Sequence, residues 1–324
     1  MPSTTGSPQP AATQQISLAC AGHTRPVVQL SFSATTASNQ YFLISACKDG
    51  KPILRNGPTG DWLGTFLGHK GAVWSAMLSG DTTRAVTASA DYTAMVWDAL
   101  SGRQTATLAH ANIVKSADFC GADDAMVATG GQDKAVRIFD LGRPDAPTTA
   151  AVHDAALRCV KWSRARSLLI AADGARTINF VDPRARAVAK SLDLPAIANV
   201  SLSADGRLLA CAAGRRICLW DLDAFKPVKD FAVDYDVSVA AVNPARTRIV
   251  AGGRADLLIR SCDFETGAQL DVHKGHHGPV HDACFSPDGH IYATGSEDGT
   301  VRLWQTAPGS EYGLWQLKPA AAAS

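Results

Sequence analysis

The sequence predicts an all-β fold, a seven-bladed β-propeller in which an N-terminal strand closes the last blade. Three observations lead there. A unit of about 40 residues recurs along the chain, the spacing of propeller blades. Short stretches of alternating apolar residues, such as Thr300-Val301-Arg302-Leu303-Trp304, fill each unit. No long segment of helical period competes with them.

The repeat is plainest in residues 68–98 (GHKGAVWSAMLSGDTTRAVTASADYTAMVWD) and 275–305 (GHHGPVHDACFSPDGHIYATGSEDGTVRLWQ). Each runs Gly-His, strand, polar turn, strand, Asp-bearing turn and a third strand ending in Trp. His69 precedes Asp91 by 22 residues, as His276 precedes Asp298, and 6 residues separate each Asp from Trp97 or Trp304. The other units are weaker copies. Blade one starts at Gly22-His23 and ends its third strand at Leu54-Arg55-Asn56; blade three runs from Ala109-His110 to Ile138-Phe139-Asp140. Blade four runs from Val152-His153 to Phe180-Val181-Asp182, and blades five and six end at Leu219-Trp220-Asp221 and Ser261-Cys262-Asp263. Asp-Gly steps at Asp49, Asp205, Asp288 and Asp298 supply turn chemistry between strands.

Residues 16–20 are strand-like and precede the first Gly-His corner, so they are expected to complete blade seven and remove its open edge. Residues 309–317, with Tyr312 and Trp315, are expected to pack on that blade. The domain reading is a disordered tail over 1–15, the propeller over 16–317 and a C-terminal tail over 318–324.

His69, Thr87, Asp91 and Trp97, and likewise His276, Thr294, Asp298 and Trp304, look superficially like a hydrolase triad. They recur within blades beside a core Trp, whereas a nucleophilic triad occurs once on an exposed nucleophile. They are read as structural tetrads: Asp orients His, His bonds the hydroxyl, and the hydroxyl bonds the indole N–H. Blade one keeps His23, Ser45 and Asp49 with Arg55 in the Trp place. Blade three keeps His110, Thr129 and Asp133 with Phe139, which cannot donate. Blades four to six are eroded, with Gly214 and Gly252 read at the Asp and Ser/Thr places. Trp162, Phe180, Trp220 and Phe264 are expected to hold those blades by packing.

Thirty-one Lys and Arg against 30 Asp and Glu leave a net charge of +1, with no footprint of a dedicated nucleic-acid binder. No apolar run is long enough to span a bilayer, and residues 1–15 lack a secretory apolar core. Eight scattered cysteines, none in a Cys-x-x-Cys pair, read as reduced, small buried thiols. His273, His276, His277 and His281 crowd nine residues, but His276 belongs to a tetrad and the others do not converge as zinc demands. No phosphate loop, metalloprotease motif or nucleophile elbow occurs. No catalytic, cofactor-binding or metal-binding residue is assigned, no cofactor or small-molecule substrate is expected, and the chain is read as a non-enzyme.

Binding then falls to the propeller surface. Residues opening the first strands (Trp74, Lys115, Arg158, His281) and those just before the blade Asp (Lys48, Ala90, Gln132, Glu297) are expected on the narrower face. Trp beside Arg and Lys has the composition of a protein-interface hot spot. Arg55 with Trp62 is a second candidate pair, and the Tyr312–Trp315 extension a third.

The repeat is that of WD-repeat proteins. Five segments further resemble the serine-threonine kinase receptor-associated protein family, also called unr-interacting proteins: residues 22–28 (GHTRPVV), 41–74, 107–119 (TLAHANIVKSADF), 129–141 (TGGQDKAVRIFDL) and 285–315. The second is the most specific, since Leu54-Arg55 replaces Trp-Asp and Gly60-Asp61-Trp62 is not a generic repeat turn. The resemblance is strong in blades one to three and seven, looser in four to six. It implies a cytoplasmic and nuclear protein-binding scaffold of the survival-of-motor-neuron (SMN) complex, acting in mRNA processing and splicing through assembly of spliceosomal small nuclear ribonucleoproteins. It also implies gemin and other SMN-complex subunits as partners, RNA contacted mainly indirectly, and a TGF-β receptor signalling role in animals. Two alternatives stand beside it: a WD-repeat scaffold subunit of the translation-initiation complex, and direct RNA binding by a basic rim of Lys48, Lys115 and Arg158.

Overall fold

Each repeat folds as a four-stranded antiparallel sheet, and seven such sheets hold every strand of the computed structural model, which describes residues 15–307. From inside outward, blade one is Val27–Phe32, Phe42–Cys47, Ile53–Asn56 and Trp62–Thr65. Blade two is Val73–Leu78, Arg84–Ser89, Thr93–Asp98 and Gln104–Ala109. The first strands of blades three to seven are Val114–Cys120, Leu157–Ser163, Ile197–Leu202, Val237–Val242 and Val280–Phe285. Second strands such as Leu208–Ala213 and Ile291–Ser296 are buried along their whole length. That is why they read as unbroken runs of small and apolar residues rather than as alternation. The outer strand Ala187–Asp193 exposes all but Leu192.

Each first strand touches the first strands of both neighbouring blades, so the seven close into a ring around a channel. The apolar core is not one body. It is divided into seven clusters, one in each gap between blades: Ile44, Leu54, Phe66, Val73 and Trp97 join blades one and two. Cys20, Val27, Leu43, Ile291 and Leu303 join seven to one. Polar side chains of the first strands stitch neighbours together. Gln29 Oε1 accepts the Ala76 amide at 2.8 Å, Ser116 Oγ bridges to both backbone groups of Val160, and Asp118 Oδ2 accepts Trp162 N–H at 2.8 Å. Asp282 Oδ2 accepts Leu30 N–H at 2.8 Å and so ties blade seven to blade one.

The N-terminal strand is Leu18–Cys20. It lies antiparallel to Val301–Gln305, with Leu18 opposite Leu303 and Cys20 opposite Val301, and supplies the fourth strand of blade seven as the sequence predicted. Gln15 Nε2 donates to Gln305 O, and Arg302 Nη1 donates to Ser17 Oγ. Gly60, at φ +73°, turns blade one against this strand; a Cβ there would lie 2.5 Å from Cys20 Sγ, so only glycine fits. The Tyr312–Trp315 segment and both expected tails lie outside the described residues, apart from Gln15. All eight cysteines are free thiols, with Cys159 and Cys284 half-buried in the channel wall.

Candidate functional site

Two blades carry a complete relay of hydrogen bonds. In blade two Trp97 Nε1 donates to Thr87 Oγ1 at 2.8 Å, Thr87 Oγ1 lies 2.7 Å from His69 Nε2, and His69 Nδ1 lies 2.8 Å from Asp91 Oδ2. In blade seven the same three separations, through Trp304, Thr294, His276 and Asp298, are 2.8, 2.8 and 3.0 Å. Burial lowers the pKa of His69 and His276, which keeps each imidazole neutral: Nδ1–H donates to the carboxylate and Nε2 accepts from the hydroxyl. Burial also works against ionisation of Asp298. The amide of His277 and both the hydroxyl and amide of Thr300 outweigh it and hold the carboxyl at about 2. Thr87 and Thr294 are fully buried, so neither hydroxyl can reach a substrate.

The other blades depart from this relay for local reasons. Blade one keeps His23 against Asp49 and Ser45, and Arg55 occupies the Trp place. Arg55 is 2% exposed, with Nη1 on Gly60 O and Nη2 on Ala21 O, so it is a core residue and is withdrawn from the partner-binding candidates. In blade three His110 still meets Thr129, but Asp133 turns away to Arg137 at 2.9 Å, and His110 Nδ1 faces Leu108 O instead. The reading of Gly214 and Gly252 is corrected by strand register. Gly252 pairs with Val239 as Ala88 pairs with Ser75, so Ala251 holds the hydroxyl place in blade six. In blade five the pair Ala213–Arg216 encloses a two-residue turn, Gly214-Arg215, too short to present an Asp. Cys211 takes the hydroxyl place there, and the indole N–H of Trp220 has no partner among the described residues.

His23, Cys47 and Asp49 gather their ligand atoms within 4.8 Å. Both ring nitrogens of His23 are engaged, Cys47 Sγ–H donates to Arg25 O, and burial pushes that thiol up to about 12. These are the bonds of a packed tetrad remnant, and they leave no open metal ligand.

The surface candidates come together through one backbone device. In all seven blades the ladder between first and second strands skips the second residue of the first strand. Such bulges re-aim a side chain. Here they place Val28, Trp74, Lys115, Arg158, Ala198, Ser238 and His281 around one mouth of the channel, above a cavity of about 1130 Å³. A second sevenfold contact fixes an adjoining ring. The amide of Lys48 donates to Pro26 O, and those of Ala90, Gln132, Gly174, Gly214, Arg254 and Glu297 make the equivalent bond. Arg254 was missed in the sequence because the glycines before it were read one place out of register.

The mouth is lopsided in charge and shape. Trp74 is half-buried under lysines: Lys115 Nζ lies 3.1 Å from the ring centroid and Lys48 Nζ 5.8 Å. Glu297 is shared by His281 at 2.5 Å and Lys48 at 3.5 Å. Burial, then the repulsion of Arg158 and Lys48, pulls the Lys115 ammonium down to about 8. Trp62 is elsewhere, 54% exposed on the outer strand of blade one and donating to Thr65 Oγ1, so it forms no joint surface with the mouth.

Below the mouth, Lys161 stands between Asp118 and Asp282, with its Nζ 3.5 Å from Met77 Sδ. Asn199 Nδ2 donates to Asp282 Oδ1 at 3.0 Å. Burial raises the Asp118 carboxyl to about 6, against the opposing pull of Lys161 and the Trp162 amide. A carboxyl whose pKa is higher folded than unfolded stabilises the fold fully below its unfolded pKa, and that stability is lost as pH rises through the folded one. Relative to Asp118→Asn, the wild type is therefore expected to lose about 2 kcal/mol between pH 4 and pH 7. Parallel denaturation profiles over that range would contradict this.

A family model described as "WD domain, G-beta repeat" matches residues 60–98, 102–140 and 267–305, which end on the third strands of blades two, three and seven. The chain is 46% identical over 307 residues to the serine-threonine kinase receptor-associated protein of Homo sapiens, covering 94% of this chain and 87% of that protein. The protein of the same name from Dictyostelium discoideum is 42% identical over 290 residues, covering 89% and 98%. Eukaryotic translation initiation factor 3 subunit I of Drosophila grimshawi is similar at 27% over 312 residues, covering 87% and 94%.

Proposed function

Because the chain belongs to the serine-threonine kinase receptor-associated protein family of WD-repeat propellers, we propose that it is a non-enzymatic scaffold that holds partner proteins at the channel mouth. The identity along nearly the whole propeller carries this reading. The buried tetrads support it, since they spend their polar groups on the fold and leave none for chemistry.

At finer grain, the chain serves in the cytoplasm and nucleus as a subunit of the survival-of-motor-neuron complex. There it docks gemin-type subunits during assembly of spliceosomal ribonucleoproteins and meets RNA mainly through them. Association with a receptor kinase, which the relatives' name describes, is a further role to test. Affinity purification of the tagged chain from native extract, read by mass spectrometry, is expected to recover gemin and Sm proteins. Recovery of initiation-factor subunits alone would favour the scaffold role of the more distant relative instead.

Trp74 organises the mouth by supporting two lysines, so Trp74→Ala is expected to weaken partner capture about tenfold or more. Unchanged capture with lower thermal stability would show that the indole only packs.

A further inference from the structure

We propose that the channel mouth receives an acidic, extended segment of a partner protein, its Asp and Glu side chains seated on Lys48, Lys115, Arg158 and Arg254. The inference rests on the scaffold reading above and adds the chemistry of what is held. These four cations come from blades one, three, four and six, yet they act on one another. Lys115 is repelled by Arg158 and Lys48, and Arg158 by Arg254. Elsewhere on the surface several arginines are neutralised in place, among them Arg176 by Asp193, Arg216 by Asp230 and Arg246 by Asp205.

At the mouth the pattern breaks. Among the described residues Arg158 meets only a backbone carbonyl, Ala198 O at 2.9 Å, and neither it nor Lys115 nor Arg254 has a carboxylate within ion-pair distance. Glu297 on the rim is taken by His281 and Lys48, and Asp118 and Asp282 lie below the mouth around Lys161. Like charges held together without counter-charge cost stability in the free protein, and an anion that reaches them relieves the repulsion.

The occupant is an extended chain because the cations are spread over four of seven blades. One small anion cannot meet them all, whereas a peptide crossing the mouth can present a carboxylate to each. Guanidinium forks at Arg158 and Arg254 match carboxylates bidentately. Single-stranded nucleic acid fits less well. Its sequence-tolerant sites stack bases on open aromatic faces, and the Trp74 indole at the mouth is covered by Lys115 at 3.1 Å.

The test uses the full chain and a fluorescein-labelled 12-residue Glu/Ser peptide, followed by fluorescence anisotropy. Binding is expected, with affinity falling several-fold between 50 and 200 mM salt. The double variant Arg158→Glu, Arg254→Glu should lose at least tenfold in affinity, while Lys226→Glu on the outer strand of blade five should lose nothing. Both arginines are exposed, so melting temperatures of the variants are expected to match the wild type and separate lost binding from lost fold. Equal binding of a Gln/Ser peptide, or equal binding by the double variant, would overturn the proposal. Displacement of the peptide by an oligouridylate at lower concentration than by unlabelled peptide would overturn it in favour of nucleic acid. Capture of the wild-type set of native partners by the double variant would leave the scaffold reading standing and remove only this site.

Discussion

Thr294→Val is expected to lower the unfolding free energy by about 2–5 kcal/mol. The hydroxyl is the hub of the blade-seven relay: it accepts from Trp304 Nε1 and meets His276 Nε2, each at 2.8 Å, and it is fully buried. Valine keeps the shape and removes both bonds at once. Two buried polar groups are then left without partners, and each costs about 1–3 kcal/mol where water cannot reach. The blade affected is the one completed by the N-terminal strand, so its loosening also weakens closure of the ring. Urea denaturation of both proteins reads the effect as a shift in midpoint at similar slope. The matched control is Ala251→Thr in blade six, which installs the hydroxyl where neither His nor Trp awaits it. A loss below about 0.5 kcal/mol for Thr294→Val, within the range of an ordinary surface change, would show that the hydroxyl is not a hub.

Arg55→Ala is expected to cost about 2–5 kcal/mol, the range for truncating a large buried side chain. Arg55 ranks with Trp97 and Trp304 among the largest fully buried side chains. It fills the Trp place of blade one and satisfies Gly60 O and Ala21 O, yet among the described residues it has no carboxylate partner. Volume and charge can be separated. Arg55→Met keeps most of the volume and relieves a buried cation, so its cost is expected to stay below about 1.5 kcal/mol. If Met is as damaging as Ala, the guanidinium bonds to the turn, not its bulk, hold blade one against the N-terminal strand.

The seven blades and the two full tetrads were legible because their signals are local. His, hydroxyl, Asp and Trp recur at fixed intervals, and each interval is set by a strand length or a turn length. What was misread depended on turn geometry or on a competing partner. The two-residue turn at Gly214-Arg215 removes a residue from blade five, so counting from the Asp place went wrong there. In blade six the same kind of counting placed Gly252 one position early and concealed Arg254. Asp133 sits at the expected position but prefers Arg137, four residues on, a pairing that interval matching does not weigh. At the mouth, Trp74, Lys115, Arg158 and His281 were found because the bulge occurs at the same place in every blade. Their pairing was not legible: no pattern in the chain says that Lys115 lies on Trp74, or that Glu297 holds His281 and Lys48 but leaves Arg158 free. Arg55 was misassigned for the opposite reason, a charged residue taken for surface when it had replaced a core indole.

The fourth strand of blade seven is made first and placed last. Leu18–Cys20 leaves the ribosome before any blade exists, and its partner Val301–Gln305 follows some 280 residues later. At about 5–20 residues per second, that is a wait of roughly 15–60 s. Through that interval blade one stands with its closing face uncovered, since Val27, Leu43 and Leu30 pack against residues not yet synthesised. The nascent chain is therefore an open arc with two unmatched apolar ends, and it exposes them for as long as translation lasts. A slowed or stalled ribosome lengthens that exposure.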